Sequence, residues 1–120
     1  MAFVLKRSDS YTWPVIYRQP VSGGRREKQE FDAEFRRLPQ SRINEIQELA
    51  QQKIAGDEVE VSDVLIADEV LMGWDGIVDA DGESVGFSKA SKAELLELPM
   101  MAGAIIEAYF SSLVEEKRKN

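Results

Sequence analysis

The feature that most constrains the fold is a two-residue alternation of apolar side chains within the first forty residues. Two segments, residues 11–17 and residues 28–38, carry apolar residues at alternate positions. These residues are Trp13, Val15, Tyr17, Phe31, Ala33 and Phe35. Because successive side chains of a strand point to opposite faces, this period predicts two strands that each bury one face.

A small three-stranded antiparallel sheet is the predicted N-terminal unit. Its third predicted strand is the short apolar run Phe3-Val4-Leu5. Pro14 has no N–H to donate to a neighbouring strand, which predicts either that its strand lies at an edge of the sheet or that Pro14 occupies a position that makes no ladder hydrogen bond. The segment Pro20-Val21-Ser22-Gly23-Gly24 is typical of a loop. A sheet of this size needs helices to cover its apolar face.

After residue 40 the apolar residues recur at helical spacing. Ser41 is the expected N-cap of a first helix that reaches Gly56. Ser62 is the expected N-cap of a second helix. Gly73 is expected to end that second helix, with Trp74 beside the helix end and packed on the core.

Two further helices are predicted in the C-terminal third. Either Ser88 or Ser91 caps a third helix, which runs to Pro99. Proline suits the first turn of a helix, so a last helix is expected from Met100 to about Glu116.

These patterns predict an α+β fold, with an antiparallel sheet of about three strands followed by about four α-helices. A chain of this length can bury one core, so we expect a single domain over residues 1–120. Residues 1–38 form its β-rich part, residues 41–116 its helical part, and residues 117–120 a mobile tail.

The chain contains no histidine and no cysteine. This composition excludes imidazole and thiolate catalysis, disulfides, and metal sites built from those two residue types. Gly23-Gly24 is not followed by the Lys and Ser/Thr of a phosphate-binding loop. Carboxylates are abundant, but nothing in the sequence indicates two that face each other in an apolar cleft, as glycosidase-type acid/base catalysis requires. We expect a protein that is not an enzyme and has no catalytic residue, metal or cofactor.

The net charge of −7 is unevenly distributed. Residues 54–88 hold ten acidic and no basic side chains. This segment repels phosphate backbones, so no nucleic-acid partner is expected. Charges of opposite sign in one small chain also allow self-association, with acidic and basic faces of successive copies meeting head to tail. Because neither a signal peptide nor a membrane-spanning run is evident, a soluble intracellular protein is expected, with no membrane partner.

The segment Asp79-Ala80-Asp81-Gly82-Glu83 invites comparison with a calcium-binding loop. In an EF-hand loop the glycine stands sixth, which would put Ile77 and Ser88 at the first and last ligand positions. Neither residue suits its position. We favour a tight turn in which Gly82 adopts positive φ, and weak binding of a divalent ion by the acidic segment stays open.

The last predicted helix contains the candidate residues for binding a partner. Tyr109 and Phe110 are adjacent and fall on different helix faces, so one of them is expected at the surface. Met100, Met101 and Gly103 are of the adaptable or small types that suit a variable partner. For each of these residues, packing in the core is the alternative interpretation.

Three stretches follow one another in a recognisable order. The first is F-x-A-x-F-R-R-L over residues 31–38, and the second is G-W-x-G-I-x-D-x-D-G over residues 73–82. The third is the final pair Lys119-Asn120. The motif residues are Phe31, Phe35, Trp74, Asp79, Asp81, Gly82 and, beyond the second stretch, Phe87. Over nearly the whole chain this order resembles the tail assembly chaperone family of phages with long non-contractile tails.

The resemblance implies a non-enzymatic protein that acts in the cytoplasm of the infected host. Members of that family coat the tape measure protein before the tail tube polymerises around it, and they are absent from the finished virion. The expected partner is therefore the tape measure protein, with the major tail protein as a second candidate. The alternative function is that of a structural protein of the virion, either a minor tail protein or a head–tail connector.

Overall fold

The computed structural model describes residues 9–54 and 63–114, and the side chains of residues 9–49 and 63–114. Within this part of the chain lie three strands and four helices. In chain order they are β1 (Ser10–Val21), β2 (Arg25–Arg36), α1 (Gln40–Ile54), α2 (Asp63–Val70), β3 (Leu71–Asp75), α3 (Lys89–Leu96) and α4 (Met101–Leu113). The predicted α+β architecture, with a three-stranded antiparallel sheet and four helices, is confirmed.

The first two strands form a long hairpin, as the alternation of apolar residues predicts. Each strand is 12 residues long, and they pair without interruption from Ser10–Arg36 to Val21–Arg25. Gly23 and Gly24 turn the chain with φ of +91° and +72°, a region in which a Cβ atom would be strained. Among the three described strands the order is β1-β2-β3, so β1, which contains Pro14, has a neighbour on one side only within this sheet.

The third strand differs from the prediction. The second helix ends at Val70, and residues Leu71–Asp75 pair antiparallel with the free side of β2. Gly73 therefore lies within a strand opposite Glu34, where a Cβ atom would come within 2.7 Å of the Glu34 Oε1 atom. The open edge of β2 offered hydrogen bonds that outweighed local helical spacing. The predicted strand Phe3-Val4-Leu5 lies outside the described residues.

The helices cover one face of the sheet, and the alternating residues form the core there. The largest buried cluster consists of Val15, Tyr17, Phe31, Ala33, Phe35, Ala67, Val70, Leu71, Leu96, Met101, Ala102, Ile105 and Tyr109. Trp13, expected in the core, is half-buried at its margin. At the centre, the rings of Phe35 and Tyr109 meet edge to face with centroids 5.2 Å apart. Sheet and helices therefore share one core.

The structure decides between the two expected caps of the third helix. Ser88 is the N-cap, because its Oγ accepts a hydrogen bond from the Ser91 backbone N–H at 3.1 Å. The Ser91 Oγ accepts in turn from the Ser88 backbone N–H at 2.8 Å, which completes a reciprocal capping box.

The ends of three helices differ from the prediction by a few residues. The third helix ends at Leu96 and does not reach the predicted Pro99. The first helix begins at Gln40, and its first turn closes on the Pro39 carbonyl, so Ser41 lies inside the helix and is not its N-cap. The last helix begins at Met101 and ends at Leu113, before the predicted Glu116. Ser62, the expected cap of the second helix, lies outside the described residues. None of the helices within residues 9–54 and 63–114 combines the length and apolar character needed to cross a membrane.

An ion pair fastens α1 to α2. The Arg42 guanidinium donates to both carboxylate oxygens of Glu69, with Nη2–Oε1 at 2.8 Å and Nε–Oε2 at 3.0 Å. Glu45, one turn further along α1, accepts from the Arg42 Nη1 atom at 3.1 Å. The hydrogen bonds from Arg42 hold the pKa of the Glu69 carboxyl below its ordinary value.

Candidate interaction surface

An open apolar groove lies between strand β1 and helix α4. Its volume is about 620 Å³. It is lined by Trp13, Pro14, Ile16, Ala104, Glu107, Ala108, Phe110, Ser111 and Val114. We call these nine residues the β1–α4 groove. A concave surface that is predominantly apolar is the kind of feature that binds an apolar partner side chain or helix.

Both elements contribute to the groove because of their residue spacing. Ala104 and Ala108 are four residues apart, so they lie on one face of α4 and leave room beside the strand. Phe110 and Val114 are also four residues apart and border this space. Ile16 belongs to the sheet face opposite the core and is 42% exposed at the sheet edge, which adds apolar surface from β1.

Glu107 is the one ionisable residue among the nine that line the groove. It is exposed and lies on α4 between Ala104 and Phe110. A carboxylate beside apolar surface favours a partner that presents a lysine or arginine next to its apolar side chains. The groove therefore combines apolar surface with one negative charge.

The structure separates the five candidate partner-binding residues into two sets. Met101 is 3% exposed and Tyr109 is 1% exposed, so both side chains pack in the core and do not reach the surface. The Tyr109 hydroxyl also donates to the Arg36 carbonyl at 3.0 Å, which joins α4 to the end of β2. The helical period places these two residues on the face of α4 that covers the sheet.

The other three candidates reach the surface. Phe110 lines the β1–α4 groove. Gly103 is partly exposed, with open space where a Cβ would stand, and it lies seven residues before Phe110 on the same stripe of the helix. Met100 is 80% exposed and precedes the helix in a left-handed conformation, with φ of +68°. These residues, unlike Met101 and Tyr109, remain available for a partner.

Sequence reasoning missed several residues of the groove. The sequence patterns place Trp13 in the core and Ala104 and Ala108 on the inner side of the last helix, and they do not single out Ile16 or Val114. One signal was present in the sequence, since Ile16 is an apolar residue on the strand face that otherwise carries polar and charged residues. The position of α4 beside β1 cannot be predicted from the sequence of β1 or of α4 taken alone.

The acidic motif forms the predicted tight turn. The Asp79 Oδ1 atom accepts hydrogen bonds from the backbone N–H groups of Asp81 at 2.9 Å and Glu83 at 3.0 Å. Gly82 has φ of +84°, as expected for its place in the turn. Among residues 9–49 and 63–114, no three acidic side chains come together as a metal site. The acids Asp57, Glu58 and Glu60 lie outside the described residues.

Trp74 organises the segment around this turn, but it does so from a strand and not from a helix end. Its Nε1–H donates to the Val85 carbonyl at 2.7 Å. Its ring meets Phe87 edge to face with centroids 4.9 Å apart. The Lys92 ammonium lies 5.6 Å from the centre of the Phe87 ring. These contacts of Trp74 and Phe87 attach the segment around the turn to the sheet.

Comparison of this chain with protein-family models, curated proteins and solved structures finds no match in any of the three.

Proposed function

We propose that this protein is a tail assembly chaperone of a phage with a long non-contractile tail, and that its β1–α4 groove binds the tape measure protein. The observation that carries the proposal is this open apolar groove with a single carboxylate on its wall. The ordered motifs that resemble the chaperone family supply the identity of the partner. The role is that of a binding protein without catalytic residues.

The geometry supports binding of an amphipathic helix. Such a helix presents apolar side chains at positions i, i+3, i+4 and i+7, a spacing that fits a groove running along α4. Phe110 and Trp13 offer aromatic contacts, and Ala104 and Ala108 allow a close approach. A tape measure protein is long and rich in helices, so many copies of a small chaperone are required to shield it.

Release is part of this proposal. The chaperone binds the tape measure protein in the host cytoplasm. It dissociates as subunits of the major tail protein assemble around the tape measure protein. An open groove with few polar contacts suits reversible binding, because affinity changes among related complexes lie mainly in the dissociation rate. The chaperone is then absent from the mature virion.

Co-purification with the tape measure protein tests the groove. We expect Phe110→Ala and Gly103→Leu to reduce recovery of the chaperone on tagged tape measure protein at least several-fold. The first removes an aromatic contact, and the second places a bulky side chain in the open space on the same stripe of α4 as Phe110. Val64→Ala is the matched control, since Val64 is 43% exposed on α2 and does not line the groove.

Two results would contradict the proposal. One is unchanged recovery of both folded variants, with folding checked by circular dichroism. The other is detection of the chain in purified particles by mass spectrometry, at a stoichiometry of a few copies per virion. That second result would favour a minor tail protein or a head–tail connector instead.

A further inference from the structure

The sheet face that points away from the helices carries its charges in two separate halves. Alternation along the hairpin places Arg18, Arg26 and Lys28 on this face near the turn, and all three are exposed. Glu30 and Asp32 follow on the same face of β2, and both are exposed. Beyond them on this face, Glu34 accepts a hydrogen bond from Ser10, and Arg36 at the strand end donates to the Glu69 carbonyl. We call the two groups the basic half and the acidic half of the outer sheet face.

Within each half, charges of the same sign stand directly opposite each other. Arg18 pairs with Lys28 across β1 and β2, and Asp32 pairs with Asp75 across β2 and β3. Like charges in opposed positions of a sheet are destabilising. Within the described residues no ion pair involves Arg18, Arg26 or Lys28. Among the described residues, this cost is therefore not relieved by an ion pair to any of the three bases.

An exposed antiparallel sheet face is ordinarily solvated, and its charges are then expected to be mixed. Segregation into one basic and one acidic half instead makes this face complementary to itself. Two such faces can be stacked with a two-fold axis between them that runs perpendicular to the strands. Rotation by 180° about this axis places the basic residues of one copy over the acidic residues of the other. The self-complementary patch is what a two-fold dimer requires.

We propose that two copies of this chain associate through their outer sheet faces as a two-fold dimer. The two-fold axis passes midway between two cross-strand pairs of the hairpin, Ile16–Glu30 and Arg18–Lys28. Lys28 of one copy then lies over Glu30 of the second copy. Arg26 then lies over Asp32 of the second copy, and symmetry makes each pair twice. Long basic side chains span the separation of about 10 Å between packed sheets.

This arrangement replaces head-to-tail association with a closed dimer. It also favours a second copy over nucleic acid as the occupant. A phosphate backbone that approached Arg26 and Lys28 would meet Glu30 and Asp32 within the next few residues of the same strand. Pro14 and Ile16 border both the outer sheet face and the β1–α4 groove, but none of the charged residues that carry this proposal lines the groove. The proposal therefore does not rest on the chaperone role.

Sedimentation velocity at low and high salt tests the dimer. We expect the unmodified chain to be dimeric at micromolar to submillimolar concentration in 20 mM salt. In 500 mM salt we expect a monomer, since exposed pairs are strongly screened at that ionic strength. A monomer at the highest concentration in low salt overturns the proposal, and so does a dimer that is insensitive to salt.

A charge-swap experiment identifies the face. The variant Arg26→Glu/Lys28→Glu carries an acidic face, and the variant Glu30→Lys/Asp32→Lys carries a basic one. We expect each alone to be monomeric in low salt and a 1:1 mixture of the two to form a heterodimer. Persistent self-association of either folded variant contradicts the assignment, as does a mixture that stays monomeric.

Binding of duplex DNA provides the remaining arm of the test. One outcome would show that the basic half binds nucleic acid and that the proposed dimer is wrong. In that outcome the unmodified chain is monomeric and retards a DNA duplex on a gel, and the Arg26→Glu/Lys28→Glu variant does not retard the duplex. We expect no retardation at 150 mM salt.

Discussion

At the scale of single residues, Tyr109 joins the last helix to the sheet through both ends of its side chain. Its ring contacts Phe35, and its hydroxyl donates to the Arg36 carbonyl at 3.0 Å. Burial raises the pKa of this hydroxyl above its ordinary value, because the charged phenolate would lose its hydration. A residue proposed from sequence as a possible surface contact is thus a central residue of the core.

Replacing Tyr109 by phenylalanine tests this role. The Tyr109→Phe variant leaves the Arg36 carbonyl without its donor, and we expect the free energy of unfolding to fall by about 1–2 kcal/mol in urea titrations at pH 7. Co-purification with the tape measure protein should be unchanged, because the hydroxyl is not on the surface. A loss of co-purification without loss of stability would contradict this assignment.

The raised pKa also predicts a dependence on alkaline pH. An unfolded chain loses the Tyr109 proton near pH 10, whereas the folded chain retains it to higher pH. Stability from this group is therefore complete below about pH 10 and declines as the pH rises through the folded pKa. We expect a smaller alkaline decline for Tyr109→Phe than for the unmodified chain when both are titrated with urea. Equal declines would contradict the expectation.

At the scale of elements, the attachment of α1 to α2 depends on a small polar contact. Arg42 and Glu69 form a bidentate ion pair, and their side chains are 35% and 31% exposed. Because both remain partly hydrated, solvent screens much of their attraction. Ile43 and Ile46 on α1 are also buried, at 8% and 1% exposed.

Neutralising Glu69 tests the contact and its pH dependence. The pKa of Glu69 is lowered in the folded chain, so its contribution is complete above the ordinary glutamate pKa of about 4.3 and is lost as the pH falls through the folded pKa. For Glu69→Gln we expect a loss of about 0.5–1 kcal/mol at pH 7 and less below pH 4, measured by thermal unfolding. Glu48→Gln, an exposed change on α1, is the control. An equal loss at both pH values would contradict the ion-pair origin.

At the scale of the whole molecule, the sheet and the helices unfold together if they share one core. Phe35 is fully buried between them, with no exposed surface. We expect Phe35→Ala to lower the free energy of unfolding by about 3–5 kcal/mol, because it removes a large buried ring and leaves a cavity. Unfolding followed by tryptophan fluorescence and by far-ultraviolet circular dichroism should shift equally. Separate transitions would indicate two units.

Much of the fold was readable from local sequence. The period of two in β1 and β2 and the turn at Gly23-Gly24 depend only on neighbouring residues, so they could be predicted. Of the groove, Phe110 could be proposed from the last helix alone. Trp13 and Ile16 could not be placed there, since their contribution depends on α4 packing beside β1.

The sequence by itself determined the periodicity of the elements, the chemistry that the chain lacks and the tight turn at Asp79. Each of these depends on residue type and short-range spacing. Tertiary structure decided that Leu71–Asp75 is a strand, because the free edge of β2 supplied hydrogen bonds to it. It also decided where the groove lies and how the charges divide on the outer face, since both depend on strand register and on helix placement across the core.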